Sequence, residues 1–300
     1  MSLNKRNLSA VIGCYVIWGI LPAYWNLMSG IDSILILCCR VIFSFVFTTG
    51  LLILSGRFQA LRDILGNKTA MLYLAPASVM ITFNWGLYIW AINTGRVLDC
   101  SLGYFMNPLF VLLLGVIIFR EKCSKLQLIA VAIALVGVLV SVIAYGSFPF
   151  VSIGLAVSFS LYGMLMKKAH TDPVAGIAVE GILITPFALF FALAFRGGNV
   201  GVLSISDVFL LTGGGVLTAL PLILHSRAVS NIPLIIVGFF QYISPSLTLL
   251  YGLGTGETPS GSQLVSFIFI GVGLVVFSIA LVRISKAESS LNALSRDVLE

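Results

Sequence analysis

Arg40 and Glu180 are the only ionisable acid or base side chains deep inside the apolar stretches of this 300-residue chain, and each follows an aspartate, Asp32 or Asp172, by eight residues. A charge in hydrocarbon is costly, so one that persists faces a partner or a water-filled path. An arginine there can hold an anionic group or the Glu180 carboxylate. A glutamate can bind a cation or a proton and exchange it during a cycle. The competing reading is a buried salt bridge between the two that fixes the fold and touches no solute.

Further polar and aromatic groups lie in the same stretches. Asn84, Asn107 and Gln241 are awkward in lipid and serve either to hydrogen-bond a solute or to join helices. Trp85, Tyr88 and Trp90 gather beside Asn84, while Tyr104 and Tyr242 stand next to helix breakers. Together with Arg40 and Glu180, all of these but Tyr88 are the candidate lining of a cavity suited to a flat or cationic solute. Trp25, Tyr73 and Tyr145 read as interfacial belt residues. His225 is either a proton relay or an interfacial residue, and His170 lies in a loop.

The elements that must position these groups are set by composition. With 59% hydrophobic and 9% charged residues the chain is a polytopic membrane protein. Runs long enough to cross a ~30 Å core as helices recur ten times: 8–27, 34–54, 69–92, 98–119 and 126–144, then 151–166, 174–195, 208–226, 234–253 and 264–282. They do not alternate in polarity as barrel strands would. Gly103, Asn107 and Pro108 are expected to interrupt span four; Gly238, Gln241, Tyr242 and Pro245, span nine. Fourteen of the 17 Lys and Arg residues fall on one side and only Arg96 and Arg196 on the other, which places both termini in the cytoplasm. The net charge of +6 is thereby explained without a nucleic-acid patch. The first run, after Lys5 and Arg6, is a span rather than a cleaved signal. The five cysteines read as packing residues, with neither a disulfide framework nor a metal site.

A weak internal repeat organises the spans. The Asp32–Arg40 spacing returns as Asp172–Glu180; Asn107-Pro108 followed by Glu121 returns as Ser244-Pro245 followed by Glu257; Trp18-Gly19 returns as Tyr162-Gly163. Five spans per half is an odd number, so the second half is inserted upside down. The expected fold is all-α, ten transmembrane helices in two inverted five-helix repeats, residues 1–146 and 147–284, with a cytoplasmic tail at 285–300. Such halves rock around a shared midplane site, and the inversion carries Arg40 and Glu180 toward one level from opposite faces. Ala130, Ala134, Gly271 and Gly273 allow close helix packing or homodimer contacts.

The function classes this excludes are informative. No clustered metal ligands, serine nucleophile motif or phosphate loop supports an enzyme or an ATP-driven pump, and no cofactor is expected. An intramembrane lipid-processing enzyme or a passive channel stays as the alternative to a secondary transporter, whose partners would be a small-molecule substrate, the lipid bilayer and a proton as coupling ion.

Several strings carry a family resemblance over nearly the full length: IWGILPAYW at 17–25, Arg40, NWGLYIWAIN at 84–93, SLGYFMNPL at 101–109, Glu121, LYGMLMKK at 161–168, Glu180, TALPLIL at 218–224, GFFQYISPSL at 238–247 and Glu257. The chain resembles the EamA-domain transporters of the drug/metabolite transporter superfamily, in the RarD-type branch. That resemblance implies two EamA-like halves in the cytoplasmic membrane moving small organic metabolites or drugs, commonly outward. The chain departs from the family pattern at Asn26, Cys39, Asp99 and Ile236-Val237, where Lys, His, Glu and Ser/Thr-Leu are usual, so the resemblance carries neither a substrate nor a relay through position 39.

Overall fold

The amino ends of the helices show how short-range chemistry sets this fold. Asp32 caps α2 (Ser33–Leu54) by accepting from the amides of Ile34 and Leu35, and Asp172 caps α8 (Pro173–Ala194) through Val174 and Ala175 in the same way. The two aspartates of the repeat are therefore matching caps, and each sets the depth of the charge eight residues on. The computed structural model describes residues 5–94, 96–146, 149–194, 203–254 and 261–297, with the helix path alone over 285–297. Glu257 and Arg196 lie outside the described residues.

The remaining elements are α1 (Lys5–Asn26), α3 (Phe58–Gly66), α4 (Lys68–Asn93), α5 (Val97–Phe119), α6 (Lys125–Tyr145), α7 (Phe150–Ala169), α9 (Ile205–Asn231), α10 (Leu234–Phe240), α11 (Ile243–Gly254) and α12 (Gly261–Asp297). No strand occurs among the described residues. Nine helices there are long and apolar enough to cross a membrane, and the apolar stretch Leu234–Thr248 supplies a shorter tenth.

One expectation is corrected, and two helical features are added. Span nine is two helices meeting at Gln241 and Tyr242, as its breakers suggest, but α5 runs unbroken through Gly103, Asn107 and Pro108. A helix tolerates an internal proline when neighbours satisfy what it frees, and Gly238 of α10 packs directly against the Pro108 carbonyl. The stretch at 58–66 is an amphipathic helix, burying Leu61 and Ile64, rather than a plain connection. The last span ends close to 282, at Ile284, and its helix continues beyond it to Asp297.

Packing respects the inversion. α2 pairs with α8 and α6 with α12, while α1 with α9 mirrors α4 with α7, and α1 with α11 mirrors α5 with α7. Glycines set the closest crossings: a methyl group at Gly137 would stand 2.9 Å from the Ser266 carbonyl, and one at Gly273 3.0 Å from that of Ala130. The Ser266 hydroxyl donates to the Gly137 carbonyl at 2.7 Å across that α6–α12 seam. Ala130, Ala134 and Gly273 are used up inside it; Gly271 has nothing against it.

The caps give a first prediction. Asp32→Ala should cost about 1 kcal/mol as an ordinary N-cap loss. Asp172→Ala should cost more, because Asp172 also pairs with Arg57 across the two halves. Thermal unfolding in detergent checks the ranking, which equal shifts for the two variants would contradict.

Candidate transport cavity

Arg40 stands on α2 about 10 Å below the turn that joins α1 to α2, at ~1.5 Å per residue. Its guanidinium carbon lies 4.4 Å from the Trp25 ring and 5.5 Å from the Trp85 ring, and its Nε donates to Thr218 Oγ1 at 3.0 Å. Thr218 in turn donates to the Gly214 carbonyl, which fixes its lone pairs toward Arg40. Gly214 makes the arrangement possible, since a methyl group there would sit 3.3 Å from Trp25 and 3.7 Å from the Arg40 stem. The Tyr88 and Tyr104 rings, 6.0 Å apart, complete the surroundings within electrostatic reach of the guanidinium. Tyr104 is 49% exposed, and Arg40 itself is half-buried.

Glu180 occupies a different chamber. It is 3% exposed, and its Oε2 accepts from the Tyr162 hydroxyl at 3.3 Å while Oε1 has no hydrogen bond. The Tyr162 ring stacks on His225 at 6.0 Å, and His225 Nδ1 shares a 3.2 Å hydrogen bond with the Tyr15 hydroxyl. Phe159 and Trp18 close the ring of aromatics around the imidazole at 5.4 and 5.6 Å. His225 Nε2 lies 3.3 Å from where a methyl group at Gly163 would stand, and it too has no hydrogen bond. Tyr15, Tyr162 and His225 are all buried, so this chamber is sealed.

The expected common level of the two charges is corrected by these positions. Glu180 is next to Gly181, which packs on Phe45, five residues or ~7 Å of helix beyond Arg40. Helices of 22 residues are simply too long for sites a third of the way in from opposite ends to meet. Among the described residues no ion pair joins Arg40 to Glu180, so the salt-bridge reading fails in this conformation. The chain has two polar centres in series rather than one.

The other candidates divide. Trp85 and Tyr104 lie around Arg40. Asn84 spends its amide nitrogen on α7, donating to the Leu155 carbonyl and the Ser158 hydroxyl at 2.9 Å each. Trp90 is 46% exposed and covered by the Arg96 guanidinium at 5.3 Å, which suits an interface. Asn107 and Gln241 are buried with carbonyl oxygens that hold no hydrogen bond, on helices that meet where Gly238 packs on Pro108. Tyr242 turns toward Phe105, Ala134, Val138 and Ile270, away from Arg40.

Trp25, read as an interfacial belt residue, is the ring that lies nearer Arg40, at 4.4 Å. Its place at the end of a span gave no hint of an inward face. Thr218 and Tyr15 were also missed, and Tyr162 was visible only as the counterpart of Trp18 in the repeat.

Residues 6–143 match the model of the EamA-like transporter family. The chain is 39% identical over 294 residues to the transporter YojE of Bacillus subtilis, covering 96% of this chain and 98% of that one. It is 36% identical over 278 residues to the protein RarD of Salmonella typhi, covering 91% and 95%. A crystal structure of a protein 14% identical superposes with a TM-score of 0.74 over 93% of this chain and 98% of the other, a likeness of fold.

Proposed function

The chain belongs to the EamA-like transporter family, in the branch whose relatives are named RarD, and from that premise we propose that it is a secondary transporter of small organic metabolites or drugs that works by alternating access with a proton as coupling ion. It is a multi-pass protein of the bacterial inner membrane, and the fourteen-to-two distribution of basic residues supports cytoplasmic termini. The observation that carries the reading is the pair of polar centres at different depths, one half-buried around Arg40 and one buried around Glu180, each set on its helix by a matching aspartate cap. Rocking of inverted halves exposes such chambers in turn.

The chain's groups then have distinct tasks. Arg40 receives the solute while the chamber near the α1–α2 turn is open. Glu180, whose second oxygen has no partner in the sealed state, carries a proton that removes the cost of a buried charge. When the opposite face opens, Glu180 meets water and exchanges that proton, with Tyr162 and His225 as its neighbours in the chamber. Export in exchange for an entering proton is the direction we favour.

Counterflow and gradient-driven flux in proteoliposomes test this, using a pooled metabolite and drug library with wild type and Glu180→Gln. With the membrane voltage clamped at zero, a gradient of one pH unit supports about tenfold accumulation in one-for-one exchange. The wild type should reach it. Glu180→Gln should retain counterflow but lose the accumulation. Unchanged gradient-driven accumulation in the variant would make Glu180 structural, and absence of saturable flux in the wild type would overturn the transporter reading.

A further inference from the structure

Arg40 has five N–H donors, and among the described residues only the Nε–H is used, by Thr218. Among the described residues no carboxylate pairs with it. The guanidinium lies over the rings of two indoles, 4.4 Å from Trp25 and 5.5 Å from Trp85, and its Nε bond to Thr218 fixes its position between them. Thr218 is itself anchored to the Gly214 carbonyl, so the arginine cannot swing away to find another partner without losing that bond. A fixed, half-buried charge within a membrane span, held beside two indoles and without a counter-ion among the described residues, is a site suited to an anion.

The same geometry decides against a cation. Arg40 already lies over one face of each indole, and a second positive charge beside it would be repelled. What remains accessible is an aromatic wall, Tyr104 at 49% exposure with Tyr88 beside it. Apolar ring surface placed beside a guanidinium edge suits a molecule that is flat at one end and anionic at the other.

Resting on the transporter reading above, we infer that the transported solute is a small organic anion, an aromatic monocarboxylate in chemical class, whose carboxylate binds the free edge of Arg40 and whose ring lies along Tyr88 and Tyr104. Glu180 does not touch it; proton and solute occupy separate chambers. Two indoles against the guanidinium also make binding visible, since the chain has only four tryptophans.

The test is titration of the detergent-purified full chain, read by tryptophan fluorescence, with benzoate, 4-hydroxybenzoate and nicotinate, each against its own carboxamide, and with acetate and benzylamine. At least one aromatic acid should quench saturably with an affinity about tenfold or more above its amide, the amount one lost charge-assisted pair supplies. Arg40→Gln should remove that preference, Arg40→Lys should weaken it but keep its sign, and Thr218→Val should weaken it while leaving the fold intact. Trp25→Phe and Trp85→Phe should diminish the quench itself. Amides or benzylamine binding as well as the acids would overturn the anion assignment, and acetate matching benzoate would overturn the ring. If counterflow is robust for neutral or cationic solutes while the acids bind nowhere, the anion site fails and the transporter reading stands. Acid binding without flux of any solute would sink the transporter reading and leave the anion site standing.

Discussion

Gly215→Val is expected to keep the chain from reaching a folded, monodisperse state in detergent, and Gly215→Ala to cost at or above the ~3 kcal/mol upper end of ordinary overpacking. A methyl group at Gly215 would collide with Cβ of Phe43 and stand 2.6 Å from the Phe43 carbonyl carbon and 2.8 Å from the Ser44 nitrogen. Two of those three atoms are backbone, so no rotamer change relieves the contact; α2 and α9 must separate. Lipid tails offer no hydrophobic compensation for a lost helix contact. The damage also reaches the cavity, since Gly214 seats Trp25 and the Arg40 stem and Gly213 lies 2.6 Å, by the same measure, from the Tyr24 hydroxyl. Three consecutive glycines thus seat the end of α1 and the upper half of α2. Gly50→Ala is the control. Nothing lies near it, so alanine there should be neutral or stabilising by up to ~1 kcal/mol through helix propensity. Equal melting temperatures for Gly215→Ala and Gly50→Ala would refute the packing argument.

What could be read ahead of the structure follows the range of the interactions. Span lengths depend on hydropathy over about 20 residues, and the nine long helices fall close to where the runs predict them. Asp32 and Asp172 were legible as a spacing because a cap acts within three residues. Contacts between side chains of different helices were not. Trp25 looked like any aromatic at a span end, and only folding turns it onto Arg40. The inversion suggested one shared site, but it says nothing of how far along a 22-residue helix each charge sits, and that distance separates the Arg40 and Glu180 chambers. The small helix at 58–66 hides in a stretch whose basic residues Arg57, Arg62 and Lys68 had a sufficient explanation as topology signals. Polar residues were the least legible, because Asn84 joining helices and Arg40 lining a cavity carry the same signature in sequence.

Glu121→Ala should open the face that bears the termini. α5 ends in a left-handed residue, Arg120 with φ 51°, and the Glu121 amide bonds back to the Gly115 carbonyl at 3.1 Å. That turn aims the Glu121 carboxylate at the amino end of α10, where it accepts from the amides of Leu234 and Ile235 at 2.8 and 2.9 Å. Gly115 leaves the room, since a methyl group there would stand 2.8 Å from Glu121 Oε2. Lys167 of α7 completes the lock, 3.3 Å from Glu121 and 2.7 Å from the Ile232 carbonyl. The first half of the chain therefore holds two helices of the second through one carboxylate. With side chains only 12% and 16% exposed, breaking the pair from one side should cost about 3 kcal/mol, the low end for a buried pair left with an unpaired charge. A helix of seven residues has little else to hold its first turn. Hydrogen exchange should therefore accelerate at Leu234 and Ile235, while amides at the α6–α12 seam stay protected. Glu121→Gln, which keeps one acceptor oxygen, should fall between. The double variant Glu121→Ala with Lys167→Met removes both charges and should recover part of the loss, with a coupling of about 1 kcal/mol or more. Additive losses, or exchange that rises equally throughout the bundle, would make Glu121 a general stabiliser rather than the latch of that face.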